Sequence, residues 1–166
     1  MKKLEVFFDY NCPFCLKGHD SLVEFVADKP DLEIIWHPCE ISEYKNNMSG
    51  TQTDISIQAM LFAAENNIDL WPFHRKIYNM IFNDRLNTKD IDTFVNALGD
   101  LADTEALRKA LESGKYIDKV KAANKFAFKE TGVNVVPTYR ADGGVLQDRQ
   151  EFYGLGYSNT AYGGRK

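Results

Sequence analysis

The chain has 166 residues, 44% of them hydrophobic, and a formal net charge of −4 with acids and bases mixed along its length. That is enough chain for one core without staples. There is no basic stripe of the kind that tracks phosphates and no apolar run long enough to cross a bilayer. Nucleic acid and membrane are therefore not expected partners.

Leu4–Tyr10, with Val6, Phe7 and Phe8, reads as a buried strand. Because the chain enters that strand by Leu4, no room is left for a secretory signal, and a cytoplasmic location is expected. Paired thiols there are more often catalytic than structural. The strand runs into Asp9-Tyr10-Asn11-Cys12-Pro13-Phe14-Cys15, and a helical pattern follows through Leu22, Phe25 and Val26. Two cysteines at the first turn of a helix meet unpaired backbone N–H groups and the positive end of the helix dipole, which favour a thiolate. Pro13 suits an early helical position because its missing N–H would have had no partner there. The arrangement suggests one thiol that attacks and a neighbour that closes the disulfide. Zinc is an alternative, with Cys12, Cys15, His37 and Cys39 as a drawable set, although Cys39 and His37 do not form a standard knuckle. Two unreactive core cysteines are another.

Pro30 is expected to stop the first helix. Leu32–His37 reads as a second strand, continuous enough in Leu32, Ile34, Ile35 and Trp36 to be buried on both faces in parallel pairing, with Pro38 ending it. Ser42–Gly50 reads as a loop. From Thr53 the period turns helical. Ile57, Met60, Leu61 and Ala64 mark one helix, ended by Asn66-Asn67. Phe73, Ile77, Met80 and Ile81 mark a second, beginning near Trp71-Pro72. A third has Thr88 as its expected N-cap and stops at Gly99. A fourth runs from Thr104 to Gly114, and a fifth from about Lys115 to Thr131, stopped by Gly132. Thr138–Ala141 is a short strand, Asp142-Gly143-Gly144 a hairpin turn, and Val145–Tyr153 the returning strand.

Strand, thiol helix, strand, helical block and a hairpin entered through a proline is a specific order. With the motifs Phe8-Asp9-Tyr10-Asn11-Cys12-Pro13-Phe14-Cys15, Trp71-Pro72-Phe73-His74 and Gly132-Val133-Asn134-Val135-Val136-Pro137-Thr138, the sequence resembles the DsbA family of thioredoxin-fold oxidoreductases, in its FrnE-like branch. The resemblance implies an α/β thioredoxin fold with a helical insertion. Residues 1–50 and 114–166 would form the core and 51–113 the inserted helical subdomain. It implies Cys12 as attacking thiol, Cys15 as resolving thiol, and Pro137 as a cis-proline that presents the Val136 backbone to an extended substrate. Phe14, Val136 and Pro137 are thus the expected substrate-binding residues. Protein or peptide thiols and disulfides are the expected partners, with glutathione as a co-substrate, and no metal or bound cofactor is expected. The related kappa glutathione transferases and hydroxychromene carboxylate isomerases generally carry serine at the first position and lack the second cysteine, so isomerisation is the alternative reading, beside a chaperone-like peptide binder.

The strongest oxidants of the family carry a histidine where this chain has Phe14. Phe14 offers a thiolate neither charge nor hydrogen bond, so a potential on the order of −180 to −250 mV is expected. Asp9 is placed to relay a proton to the thiols or, more simply, to hold the turn. Cys39 falls where active sites gather in parallel sheets, yet a lone cysteine is more often packing. His19 is expected at the surface and His74 as a satisfied structural residue. Arg140 falls where a core strand is normally apolar. After Tyr153 the glycine-rich tail has no helical period, so the family's closing helix is expected to be missing and a homodimer to cover the open sheet face.

Overall fold

A computed structural model describes residues 2–41, 54–141 and 145–148. Strand β1 (Lys2–Phe8) lies at the centre of a four-stranded sheet, between β2 (Leu32–Pro38) and β3 (Thr138–Ala141), and β4 (Val145–Asp148) follows on the far side of β3. β1 pairs in parallel with β2, setting Val6 beside Trp36, and antiparallel with β3, setting Val6 beside Tyr139. The mixed α/β architecture is that of a thioredoxin fold carrying extra helices. The parallel pairing expected of β2 is present, but its burial on both faces is not. Among the described residues β2 has one neighbour in the sheet, and Leu32, Ile34, Ile35 and Trp36 are only half-buried. A continuous apolar run reports low polarity, not a central position.

Helix α1 (Pro13–Val26) crosses over between β1 and β2. Its buried residues Cys15, Gly18, His19 and Leu22 fall at helical spacing and lie on one sheet face with Val6, Phe8, Trp36 and Tyr139. The helix ends at Ala27, three residues before Pro30, which belongs to the turn. Between β2 and β3 stand α2 (Ile55–Glu65), α3 (Leu70–Phe82), α4 (Ile91–Ala97), α5 (Thr104–Ser113) and α6 (Ile117–Lys125).

Helices α2 to α5 all begin on an aspartate, Asp54, Asp69, Asp90 and Asp103, whose carboxylate accepts a backbone N–H of the first turn. Such caps contribute about 1 kcal/mol each. Asp90, not Thr88, therefore starts α4. Gly114 closes α5 in the left-handed region at φ 69°, where a side chain would be strained. The fifth expected helix is two pieces: α6, then a π-helical turn over Phe126–Glu130. The expected loop at Ser42–Gly50, the Asp142–Gly144 turn, and the tail, where the closing helix is expected to be missing, lie outside the described residues. Fully buried Phe7, Phe73, Ile77, Phe94 and Val120 fill the interior, each contributing about 1.5–3 kcal/mol by leaving water.

Candidate active site

Cys12 is the N-cap of α1 and Pro13 its first residue. Cys12 is half-buried, Cys15 is 2% exposed, and both are free thiols. No side-chain hydrogen bond caps this helix; the Cys15 and Leu16 N–H groups both donate to the Cys12 carbonyl, at 3.0 and 3.3 Å, which sets Cys12 at the positive end of the helix dipole. One turn in, the Asp9 backbone N–H donates to Cys15 Sγ at 3.4 Å. Burial, and then hydrogen bonding with Cys12, hold the Cys15 thiol well above its ordinary pKa. The pair is thus asymmetric, one sulfur accessible and one enclosed.

The third wall comes from the segment before β3. The Val136–Pro137 peptide bond is cis, and Cys12 Sγ lies 4.0 Å from the Val136 carbonyl oxygen. Both Val136 and Pro137 are buried. A Cβ on Gly18 would come within 3.0 Å of both Pro137 Cγ and Tyr139 Oη, so glycine at this helix position lets β3 and its leading proline close against α1. Phe14 is 50% exposed, the most exposed large apolar side chain described. Sequence reasoning had a signal for each of Cys12, Cys15, Phe14, Val136 and Pro137, and the fold brings them to one corner.

Asp9 is 2% exposed, its carboxylate accepts the Asn11 N–H at 2.9 Å, and its carbonyl accepts the Cys12 N–H at 3.0 Å. It holds the turn that presents Cys12. Asn11 Nδ2 in turn donates to Asp54 at 3.1 Å, which ties this turn to the start of α2. Burial, with help from Asp9 and Glu40, pushes the Asp54 carboxyl up to about 6. Glu40 is held by Asn124, which accepts its backbone N–H and donates to its carboxylate. These links join residues far apart in the chain and had no sequence signal beyond polarity. Cys39 is fully buried, and that burial, with Asp9 nearby, raises its thiol pKa.

The metal set drawn from sequence does not assemble. His37 lies on the opposite face of β2 from the thiols, stacked on Phe7 at 4.6 Å and bonded to Glu5 at 2.8 Å. Among the described residues, no group of three or more His, Cys, Asp or Glu side chains is placed to hold a metal ion.

Two further expectations need correction. His19 is 5% exposed rather than solvated, because the residue one turn beyond Cys15 faces the sheet, and burial lowers its pKa to about 4. His74 is 1% exposed, with Nδ1 2.6 Å from Tyr10 Oη but Nε2 without a partner. It sits among Trp36, Phe8, Tyr10 and His19. Phe73 is core, and Trp36 and Trp71 pack edge to face at 5.0 Å.

The architecture has many solved counterparts. A probable DsbA oxidoreductase from Streptomyces coelicolor superposes with a TM-score of 0.74, covering 100% of this chain and 92% of its own at 17% identity. MdbA, a thiol–disulfide oxidoreductase from Actinomyces oris, gives 0.68 over 98% of this chain and 79% of its own, also at 17% identity. Among curated sequences, the uncharacterized protein YwbO of Bacillus subtilis is 23% identical over 171 aligned positions, 82% of this chain and 84% of that one. The model of the DSBA-like thioredoxin domain matches residues 3–156. The chain therefore belongs to the DSBA-like thioredoxin domain family and is a thiol–disulfide oxidoreductase of that kind.

Proposed function

We propose that Cys12 and Cys15 are the dithiol–disulfide centre of this oxidoreductase and that its substrates are protein or peptide thiols and disulfides. The observation that carries the reading is the asymmetry of the pair: Cys12 half-exposed at an uncapped helix start, Cys15 enclosed one turn behind it. The Cys12 thiolate attacks one sulfur of a substrate disulfide, forming a mixed disulfide and releasing the other substrate sulfur as thiol. Cys15, once deprotonated, attacks the Cys12 sulfur, closing the Cys12–Cys15 bond and expelling the second substrate thiol. The buried Asp9 carboxylate, whose own backbone N–H touches Cys15, takes up the Cys15 proton on the way to solvent.

Exposed Phe14 gives an incoming chain an apolar contact, and the Val136 backbone beside Cys12 gives it an edge to pair with. Glutathione is the proposed small-thiol partner. Residues 51–113 serve as an inserted helical subdomain on a core of 1–50 and 114–166, in a cytoplasmic protein that forms a homodimer. With phenylalanine between the cysteines, a potential on the order of −180 to −250 mV follows.

Titration in glutathione buffers, read by thiol alkylation and mass, tests the centre. A reversible two-electron transition confined to Cys12 and Cys15 is expected, with its midpoint in that range. A pair that never closes removes the proposal.

A further inference from the structure

Beside Cys15, between α1 and the sheet, lies a cavity of about 10 Å³, the size of a single water molecule. Val6, Phe8, Leu22, Trp36 and Pro137 make it apolar, and Cys15, His19, His74, Tyr78 and Tyr139 complete its wall. His74 is the anomaly in it: a ring that is 1% exposed with one nitrogen unpartnered.

The neighbouring phenol decides which nitrogen carries the proton. Tyr10 is 1% exposed, and its hydroxyl has one hydrogen-bond partner among the described residues, His74 Nδ1 at 2.6 Å. Burial raises the Tyr10 pKa well above its ordinary value, so the hydroxyl keeps its proton. If Nδ1–H pointed at the phenol oxygen, the phenol proton would have no acceptor among the described residues. The phenol therefore donates, Nδ1 accepts, and Nε2 bears the hydrogen. His74 itself stays neutral, because burial and then His19 hold its pKa well below the usual range. The result is a fixed N–H donor without an acceptor in the wall it shares with Cys15, and unpaired buried donors are rare in native cores.

We propose that His74 serves the exchange reaction: its Nε2–H stabilises the Cys15 sulfur across this cavity whenever that sulfur carries negative charge, and Tyr10 is the positioning residue that fixes the tautomer. In the resolving step the Cys15 S–H bond breaks and its proton passes to Asp9. The Cys15 thiolate then forms the bond to Cys12, the Cys12–substrate S–S bond breaks, and the substrate sulfur leaves with the electron pair and takes a proton. The donor acts on the first half of that step, adding to the Asp9 N–H that the Cys15 sulfur already accepts. In the reverse direction it serves Cys15 as leaving group.

The inference rests on the Cys12–Cys15 reading above, and single-turnover kinetics with a peptide disulfide separate the two. Formation and decay of the Cys12 mixed disulfide are followed by acid quench and mass. His74→Phe is expected to slow decay about tenfold and to change formation less than twofold. Tyr10→Phe, which keeps the ring and loses only the hydroxyl, is expected to slow decay about threefold. In a Cys12→Ser background, His74→Phe is expected to move the pH midpoint of Cys15 alkylation upward by about one unit, the same tenfold in thiolate fraction. If the wild-type chain forms no mixed disulfide, the dithiol reading itself fails. If the wild type cycles while both variants decay at its rate, or lose formation and decay alike, His74 is only packing and the inference is overturned. Should His74→Phe not fold, the Tyr10→Phe decay rate alone decides.

Discussion

The two faces of the sheet handle buried polar groups in opposite ways. On the face under α1 and α3, Val6, Phe8, Trp36 and Tyr139 meet His19, His74 and Cys15, and burial drives the histidines neutral and the thiol protonated. On the other face Glu5 takes a two-point bond from Arg140 at 2.5 and 2.8 Å and a third from His37, while the guanidinium lies over the Phe7 and Phe126 rings. Arg140 hydrogen bonding, offset in part by burial, keeps Glu5 below its ordinary pKa. Where the rim still reaches water, charge is retained and paired. Where it does not, charge is surrendered, because desolvating an ion costs more than desolvating its neutral form. The proposed dithiol centre sits on the second kind of face, where a thiolate would have to be made against that cost.

Acid should break the comparison most strongly. His19 and His74 are neutral in the fold and free to protonate when unfolded, so the stability they allow is complete above about pH 6.5. It is lost as pH falls towards the folded values. For His19, with a folded pKa of about 4, the loss by pH 4 is roughly 3 kcal/mol. Asp54 works the other way, its raised pKa returning part of this as it protonates below about 6. Urea unfolding between pH 7 and 4 should show a net fall in stability, and His19→Leu should flatten it. An unchanged slope in that variant would place the protons elsewhere.

The charged face should respond next. Arg140→Ala leaves the Glu5 carboxylate half-buried with His37 alone and should cost about 2 kcal/mol at neutral pH. Below the Glu5 range the difference should shrink, since the depressed carboxylate stabilises only while ionised. A double-mutant cycle with Glu5→Gln measures the coupling, and a value near zero would remove the pairing from the account. The smallest effect is expected at Gly18→Ala. Overpacking against Pro137 and Tyr139 costs about 1–3 kcal/mol, and the better helix propensity returns about 1 kcal/mol. A net loss near 1 kcal/mol in thermal unfolding is expected, and a gain would mean that β3 yields.

Features held by local geometry were legible in the sequence. Cys12, Pro13 and Cys15 announce a helix start because proline and an unpaired N–H row belong there whatever surrounds them. The same is true of Gly114 after α5 and of the Thr138–Ala141 strand. The N-cap of α4 was misread because Thr88 and Asp90 are both good caps, and only the bond from Thr93 N–H to Asp90 separates them. The change from α-helical to π-helical bonding at Phe126 leaves no mark in hydrophobic spacing.

The sequence by itself determined the thiol pair, its place at the head of a helix, and the order of elements around it, because these depend on neighbours within a turn or two. Only the tertiary structure decided that β2 stands at the edge of the sheet among the described residues and that Arg140 belongs with Glu5 across 135 positions. It also decided that His74, 64 positions from Tyr10, stands with one nitrogen engaged and one unpartnered in a cavity that Cys15 also lines. Those outcomes follow from which surfaces meet and how completely water is excluded between them, and neither quantity is carried by residue spacing along the chain.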